Sequence, residues 1–522
     1  MTAHINSSSI PEGPDSRAIP LEKRAGPREW IGLALLALPT ILLGLDLTLL
    51  HLALPALAVD LRPTSAQALW IVDAYGFMIA GFLITMGTLG DRIGRRKLLM
   101  VGAVAFGGAS VIAAYSTSAA MLIAARAILG VAGATLMPST LALISNMFVH
   151  PHQRALAIGV WATMFALGMA AGPVVGGALL EHYWWGAAFL VALPVVGLLV
   201  VAAPFLLPEY RAPQEGRLDL LSVGLSLVAL LPIVYGIKQI AKNGVDYGAA
   251  LAILGGLAFT LLFIRRQRRL VNPLFDLTLF SSRAFSVALL ILLVGLVCVG
   301  GTMLLVTQYL QLVAGLSPLA AGLWMGPPAL AMLAAGIAAP LLARRVRPGY
   351  VIAGALGLSV VGYLLLTQLN HVSHQVVLVA ISFSLVYLGL GTIAALGTDL
   401  VVSAAPAEKA GSASAMSETV QELGLAVGMA TLGSLTTAIY RTKMAEHVPA
   451  ALAAEVQRAV TDSLAAAVSV AQELPIDLLM QAQGAFIAGF KAAAATSAVS
   501  ITILAAMAAL KLRHIRVDRM DS

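Results

Sequence analysis

The sequence predicts an all-α membrane protein with fourteen transmembrane helices. Hydrophobic residues make up 59% of the 522 residues and charged residues only 11%, which is too little charge to cover a water-soluble protein of this length. A helix needs about 20 consecutive apolar residues to cross a bilayer. Measured against that length, the predicted spans are 30–52, 68–89, 98–117, 120–146, 155–180, 186–207, 217–237, 247–264, 284–312, 319–343, 349–368, 374–402, 411–440 and 484–510.

The placement of the basic residues predicts the orientation of the chain. Most of the 32 lysine and arginine residues lie in the N-terminal tail, in alternate loops and after the last span. Because cytoplasmic loops are enriched in these residues, we predict cytoplasmic termini and a location in the bacterial inner membrane. The net charge of +7 then reflects topology, and we expect no nucleic-acid partner. The opposite loops hold few basic residues, namely Arg62, Lys238, Lys242, Arg441, Lys443 and Arg458.

The loop between spans 2 and 3 reads GTLGDRIGRRKLL. Gly90 and Gly94 permit a tight turn between two helices, and Asp91 is an acid within a basic loop. A loop that only sets topology needs neither the glycines nor the acid. The order of glycine, Asp–Arg pair, second glycine and basic cluster resembles the signature loop of the major facilitator superfamily.

This resemblance implies a conformational latch on the cytoplasmic side, in which Asp91 lies near the N-terminus of the span that begins at Gly411. The partial positive charge of a helix N-terminus attracts an acid, so the pairing is physically reasonable. The residues that the motif assigns to the latch are Gly87, Asp91, Arg92, Gly94 and Arg95.

The resemblance also implies the major facilitator fold, with two six-helix bundles and, here, two extra central helices between them. The expected parts are a disordered cytoplasmic tail (1–29), an N-terminal bundle (30–210), the two inserted helices (211–270), a C-terminal bundle (271–512) with an extracytoplasmic loop (441–483), and a cytoplasmic C-terminal tail (513–522). Apolar residues in that loop recur at helical spacing, which favours an amphipathic hairpin over the outer face and leaves a gating or partner role open.

Span 4 contains Arg126 in the stretch ARAILGVAGATLMPS. Arginine stays charged in proteins, so its side chain must reach the outer interface or find an acid, carbonyl groups or water inside the membrane. The sequence by itself leaves both interpretations open. The superfamily has an arginine–glycine motif at this place, which implies a role for Arg126 in proton transfer.

Span 5 contains ALGMAAGPVVGGALLE. A stripe of small residues by itself indicates close helix packing. The same stretch resembles the antiporter motif of the drug-exporting branches, which importers generally lack. With fourteen spans, it is similar to the fourteen-helix drug:proton antiporter family, and particularly to exporters of quaternary ammonium compounds and methyl viologen. The motif residues are Gly168, Gly172, Pro173, Gly176 and Gly177.

The acids that we expect to be buried within the membrane are Asp46 in ILLGLDLTLLHLALP, Asp73 in span 2, and Glu418 and Glu422 in span 13. A charged residue at the centre of a membrane helix costs about 2.5–3.5 kcal/mol on insertion scales, so such residues are usually functional. Glu418 and Glu422 are four apart and share a helix face. Together with Arg126, these acids are the predicted proton- and substrate-binding residues.

A carboxylate in a partly apolar cavity can bind a proton or a cationic molecule, but it binds both poorly at once because protonation removes the attraction. The expected function is therefore proton-coupled efflux of lipophilic cations, such as quaternary ammonium compounds, dyes and biguanide-type antiseptics. Export of an endogenous metabolite, antibiotic or siderophore by the same machinery is the alternative. The sequence has no Walker or enzyme motif, so we expect a non-enzymatic protein without a cofactor. The expected partners are lipophilic cations, protons and membrane lipid, and we expect a monomer.

Overall fold

The computed structural model of the chain describes most of its length. The described residues are 24–211, 219–244, 246–270, 273, 277–370, 375–405, 410–445, 448–449 and 452–513; within them, the side chains of residues 88, 91, 151, 152, 155, 162, 166, 170, 241–243, 410–412, 414 and 415 are not described. Most of the predicted N-terminal tail and nearly all of the C-terminal tail lie outside these residues.

The described chain consists of helices joined by short connections. Two π-helical segments (Tyr309–Val313 and Ile393–Gly397) and short 3-10 segments interrupt or join them. The α-helices are α1 (Pro27–Leu61), α2 (Ser65–Ile93), α3 (Arg95–Ala114), α4 (Ala119–Met147), α5 (Pro151–His182), α6 (Ala187–Leu190), α7 (Ala192–Leu206), α8 (Leu220–Asn243), α9 (Tyr247–Gln267), α10 (Arg283–Gln308), α11 (Pro318–Trp324), α12 (Gly326–Ala343), α13 (Pro348–Leu366), α14 (Val376–Thr392), α15 (Thr398–Ser403), α16 (Ala410–Ala445), α17 (Ala454–Asp462), α18 (Leu464–Ser469) and α19 (Ile476–Lys511).

Every predicted span coincides with one of these helices or with a pair of consecutive helices. Among the described residues, thirteen segments are long and apolar enough to cross a membrane, and α5, which bends by 40° between Met169 and Ala171, makes a fourteenth. Helices α6 and α7 form one span and α11 and α12 another. The predicted all-α fold is confirmed. The side on which α1 begins and α19 ends is the predicted cytoplasmic side.

The buried apolar side chains form two large clusters. One cluster joins residues between Leu33 and Leu207, and the other joins residues between Leu279 and Leu512. Among the described residues, few apolar side chains of one segment pack with the cluster of the other; they include Leu52, Leu180, Leu304 and Met429. This packing is consistent with the predicted bundles 30–210 and 271–512, whose boundaries stay a prediction.

The inserted helices α8 and α9 form a close pair. A Cβ atom added at Gly236 would lie 2.9 Å from the carbonyl oxygen of Ala249, so the two helices approach closely there. Helix α8 also packs against α2 and α16. Since α2 belongs to the first cluster and α16 mainly to the second, α8 contacts both predicted bundles.

Part of the segment 441–483 covers the side opposite the predicted cytoplasmic side. Val456 and Val460 of α17 are buried, in agreement with the predicted amphipathic spacing. Asp462 accepts hydrogen bonds from the backbone N–H of Ser65 (2.5 Å) and from Nη1 of Arg441 (2.8 Å). The segment thus connects the start of α2 with the end of α16, above a small pocket between them.

Candidate functional site

An ion pair lies inside the N-terminal helices. Nη1 of Arg126 on α4 donates a hydrogen bond to Oδ2 of Asp46 on α1 at 2.7 Å. Only 2% of the Arg126 side chain and 12% of the Asp46 side chain are exposed. Two residues 80 positions apart therefore neutralise each other in the interior of the protein.

The surroundings of Arg126 decide between the two interpretations of this residue. Its Nε donates to the carbonyl oxygen of Ile71 at 3.2 Å, and its Cζ lies 4.4 Å from the centre of the Tyr75 ring. The guanidinium thus has an acid, a carbonyl group and an aromatic face as partners. The Arg126 side chain is buried in the interior of the protein, where it has its partners, which favours the second interpretation.

A narrow cavity adjoins this ion pair. This cavity is far too small for a drug-sized molecule, so the binding of such a molecule would require the helices to move apart. Four helices, α1, α2, α4 and α16, contribute its walls. The lining residues are Leu47, Leu50, Val72, Tyr75, Gly76, Arg126, Glu422, Leu425, Ala426 and Met429.

Glu422 is the acid that α16 contributes to this cavity. It is 4% exposed, and its Oε2 has no hydrogen-bond partner in the described part of the chain. Glu418 lies one turn earlier, is only partly buried and does not line the cavity. The structure therefore brings Arg126 and Glu422 to one cavity, with Asp46 bonded to Arg126, and leaves Glu418 beside it.

Asp73 is separate from this group and has its own basic partner. Its Oδ2 lies 2.7 Å from Nζ of Lys238, with 0% and 2% of the respective side chains exposed. The assignment of Lys238 to an outer loop is wrong: α8 extends to Asn243, six residues beyond the predicted span, and buries Lys238 against α2. A search for apolar stretches ends a span at the first charged residue. The helix itself continues through Lys238, because this residue is paired with a buried acid.

Sequence reasoning missed two residues of the site, Lys238 and Tyr75. Tyr75 is 1% exposed, lines the cavity and carries Arg126 on its ring. The signal for Tyr75 was its position two residues after Asp73 and one before Gly76, in a span that already contained an acid. The signal for Lys238 was a basic residue at the end of a span, one turn before Lys242.

The predicted latch glycines form the turn between α2 and α3. Gly94 has a positive φ of 111°, which glycine tolerates without a steric penalty, and its N–H donates to the carbonyl oxygen of Gly90 at 2.9 Å. Helix α3 begins at the next residue, Arg95. A Cβ atom added at Gly90 would lie 2.9 Å from Cδ of Arg95, so the turn requires small residues.

The basic residues of the latch point in different directions. Arg95 is buried, and its Nη1 donates to the carbonyl oxygen of Pro138 at 3.4 Å, beside Gly87. Arg92 is exposed. The side chain of Asp91 and the side chains at the start of α16 lie outside the described residues, so the proximity of Asp91 to the start of α16 stays a prediction.

Replacing Asp91 with asparagine tests that prediction. Asp91→Asn keeps the size of the side chain but removes the charge that would meet the positive end of α16. We expect normal membrane insertion and a several-fold loss of transport. Asp477→Asn, which removes an exposed carboxylate from the first turn of α19, is the matched control. Wild-type transport by Asp91→Asn in cells would show that this acid has no role in the conformational cycle.

One face of the predicted antiporter motif packs against the backbone of α1. A Cβ atom added at Gly168 would lie 2.2 Å from the carbonyl oxygen of Ile41, and one at Gly172 would lie 3.1 Å from that of Leu45. At Gly176 it would meet Leu49. These three glycines, four residues apart on α5, therefore allow the backbone of α1, the helix that carries Asp46, to approach closely.

The other face of the motif contacts α11, which belongs to the predicted C-terminal bundle. A Cβ atom at Gly177 would lie 2.5 Å from the carbonyl oxygen of Pro318, and one at Gly322 would lie 2.1 Å from that of Pro173. The motif is thus a crossing point between the predicted bundles as well as a contact within one of them.

Pro173 explains a polar contact at the bend of α5. Proline has no N–H, so it leaves the carbonyl group four residues earlier without its helical hydrogen bond. That group belongs to Met169, and its oxygen accepts a hydrogen bond from Oγ1 of Thr48 on α1 at 3.1 Å. The kink therefore adds a bond between α5 and α1 at the depth of Asp46.

Within the described part of the chain, fourteen membrane-length helical segments and charged residues buried around a cavity between the two apolar clusters are the features of a multi-pass membrane transporter. The family model described as Major Facilitator Superfamily matches residues 36–429. The chain belongs to this superfamily, and the resemblance found in the sequence is confirmed.

Two individual proteins of known class are similar to this chain over most of its length. The chain is 42% identical over 499 residues to the multidrug efflux pump LfrA of Mycolicibacterium smegmatis, covering 95% of this chain and 98% of that protein. It is 34% identical over 454 residues to the methyl viologen resistance protein SmvA of Salmonella typhimurium, covering 86% of this chain and 90% of that protein.

Solved structures support the fold alone. A bacterial homologue of the human lysosomal transporter Spinster, in an inward-facing and unoccupied conformation, matches with a TM-score of 0.62, covering 94% of this chain and 98% of that chain. At 15% identity, this likeness carries no information about the cargo of the present chain.

Proposed function

We propose that this transporter is a proton-coupled antiporter that exports lipophilic cations, including quaternary ammonium compounds, dyes and biguanide-type antiseptics. Drug efflux is supported by its relatedness to LfrA, a multidrug efflux pump, and to SmvA, a methyl viologen resistance protein. Proton coupling and the cationic cargo are argued from the residues of the site.

The observation that carries the proposal is the uncompensated acid beside an ion pair. Asp46 and Arg126 neutralise each other, whereas Glu422 faces the same cavity without a basic side chain within 4 Å in the described part of the chain. A buried carboxylate without a partner costs several kcal/mol, so it must take up either a proton or a cation. Glu422 is thus the group at which the two compete.

The apolar walls of the cavity favour a greasy cation over a hydrated metal ion. Leu47, Leu50 and Met429 provide apolar surface, and Tyr75 provides an aromatic ring. Aromatic rings attract cations that are easily desolvated. A lipophilic cation would therefore gain burial of its apolar surface as well as the charge of Glu422.

Asp46 has a second role in this scheme, as the group that holds Arg126 in place. Both Arg126 and Glu422 line the cavity, so an Arg126 side chain released from Asp46 can neutralise Glu422 and exclude the cargo. Protonation of Asp46 would release Arg126 in this way. The pair thus links proton uptake to the departure of the cation, which is the requirement for antiport.

Cellular efflux tests the proposed function directly. In a strain without other pumps, expression of the chain should lower ethidium accumulation several-fold, and a protonophore should restore it. Purified protein should release protons when ethidium binds near neutral pH. Cells that express Glu422→Gln at the wild-type level should accumulate as much ethidium as cells without the transporter. Efflux that persists after the proton gradient collapses would rule out proton coupling.

The alternative cargo, an endogenous metabolite, antibiotic or siderophore, is distinguished by charge. An anionic cargo would be repelled by Glu422, and a neutral one would not displace a proton from it. Efflux of neutral or anionic compounds with no ethidium binding would therefore favour the alternative over export of cations.

A further inference from the structure

The ion pair between Asp73 and Lys238 lies where the inserted helices meet the transport core. Nζ of Lys238 is 2.7 Å from Oδ2 of Asp73 and 4.0 Å from the centre of the Trp70 ring. Asp73 and Trp70 are one turn apart on α2, so a carboxylate and an aromatic face point at the same ammonium group. Those two groups are what a binding site for an organic cation requires.

This pair lies close to the central cavity. Gly76, three residues or about 4.5 Å of helix rise after Asp73, lines the cavity. A Cβ atom added at Gly76 would lie 3.1 Å from Cβ of Ala426 and 4.0 Å from the carbonyl oxygen of Glu422. Asp73 is therefore about one helical turn from the site of the proposed exchange.

The interface around the pair is otherwise apolar. Phe77 of α2, Val234 of α8, and Ala426 and Ala430 of α16 form a buried cluster, with Trp70 packed against it. An ammonium group in such surroundings is tolerated only with an acid as its partner. Lys238 thus depends on Asp73, and Asp73 is unavailable to any other cation while Lys238 is bound.

Among the described residues that line the cavity, the ion pairs leave Glu422 as the acid without a basic partner, with Glu418 one turn earlier and outside the lining. Asp46 is paired with Arg126 and Asp73 with Lys238, whereas Glu422 has no basic partner in the part of the chain that the structure describes. A cargo with one positive charge can be neutralised by Glu422. A cargo with two positive charges would bring an uncompensated charge into a closed, apolar space.

We propose that Lys238 is a specificity-determining residue: the inserted helix α8 supplies a tethered cation that occupies a carboxylate–aromatic site at Asp73 and Trp70, and thereby disfavours cargo with two positive charges. This inference rests on the proposed export of cations. It gives the two helices that separate the bundles in sequence a role in selecting the cargo.

Ethidium and propidium make a matched pair of probes, since they share a phenanthridinium ring and differ in a second, quaternary ammonium charge. Binding to purified full-length protein is measured by fluorescence for the wild type, Lys238→Met, Lys238→Gln and the double variant Asp73→Asn/Lys238→Met. The readout is the affinity for propidium relative to ethidium, which a general loss of folded protein does not change.

We expect the relative affinity for propidium to rise about tenfold in Lys238→Met and Lys238→Gln, because Asp73 becomes available to the second charge. The double variant should return to the wild-type ratio, because it has neither the lysine nor the acid. An unchanged ratio in both single variants, or an equal rise in the double variant, would overturn the proposal.

The remaining outcomes are also decisive. If neither single variant folds but the double variant does, the pair is structural and the proposal is wrong. If the wild type binds ethidium but the single variants have the wild-type affinity for propidium relative to ethidium, the role of Lys238 in specificity is wrong and the proposed export of cations is unaffected. If the wild type binds neither dye, export of cations itself is contradicted, and the inference that rests on it fails as well.

Discussion

Replacing Asp46 with asparagine is expected to abolish efflux of cations. The substitution removes the acid that holds Arg126 at 2.7 Å and leaves a buried guanidinium without its partner. Because Glu422 lines the same cavity, Arg126 should turn to it and take the place of the cargo. Ethidium accumulation in cells should rise to that of cells without the transporter, and proton release on ethidium binding should fall.

The same variant should be less stable than the wild type. Breaking a buried ion pair from one side costs about 3–5 kcal/mol when the remaining charge stays unpaired, and we expect a smaller loss here because Arg126 can turn to Glu422, which lines the same cavity. The midpoint of thermal unfolding in detergent measures this loss. The protein should still insert, since removal of the Asp46 charge makes insertion of this span less costly.

A double variant separates the electrostatic role from a structural one. In Asp46→Asn/Arg126→Gln no unpaired guanidinium remains, so stability and ethidium binding at Glu422 should recover. Proton-driven efflux should not recover, because the group that links the proton to Arg126 is gone. Wild-type efflux by either variant would identify the pair as a purely structural contact.

Replacing Gly168 with alanine is expected to abolish transport through packing alone. The new Cβ atom would lie 2.2 Å from the carbonyl oxygen of Ile41, and its nearest neighbours are all backbone atoms that no rotamer change can move. Helices α1 and α5 would have to separate, at a cost of about 1–3 kcal/mol for overpacking. This separation would displace Asp46, five residues after Ile41, from Arg126.

Gly159 provides the matched control on the same helix. It is exposed, and an added Cβ atom would meet no heavy atom within 4 Å. Gly159→Ala should transport normally and be slightly more stable, by up to about 1 kcal/mol, because alanine favours a helix. Equal transport by the two variants would show that close contact at Gly168 is not required.

Much of the fold could be predicted because lipid demands long apolar helices and little else. The errors are at helix ends, where length and hydropathy are weak guides. Helix α1 continues from the predicted end at residue 52 to Leu61, and α8 continues past residue 237 to Asn243. The second extension matters most, because it changes Lys238 from a loop residue into a buried partner of Asp73.

The site could be predicted only in part, because pairing is a property of three-dimensional contacts. The cost of a buried charge marked Asp46, Arg126 and Glu422 as special residues. Nothing in their spacing showed that Asp46 bonds to Arg126 and that Glu422 does not. The separation of Glu418 from the cavity was also not visible in the sequence, since a shared helix face does not fix what each turn contacts.

The crossing of α5 with α11 has a consequence for how such a transporter changes in evolution. At Gly177 and Gly322 the contacts are made to backbone carbonyl oxygens of Pro318 and Pro173, which are present whatever the neighbouring side chains are. Packed helices can slide past each other by small shear motions, and this crossing has few side chains that must repack. If Glu422 binds the cargo as proposed, substitutions around it would alter the cargo while the contact between α5 and α11 stays the same, so new drug specificities would be accessible without changes to the transport cycle.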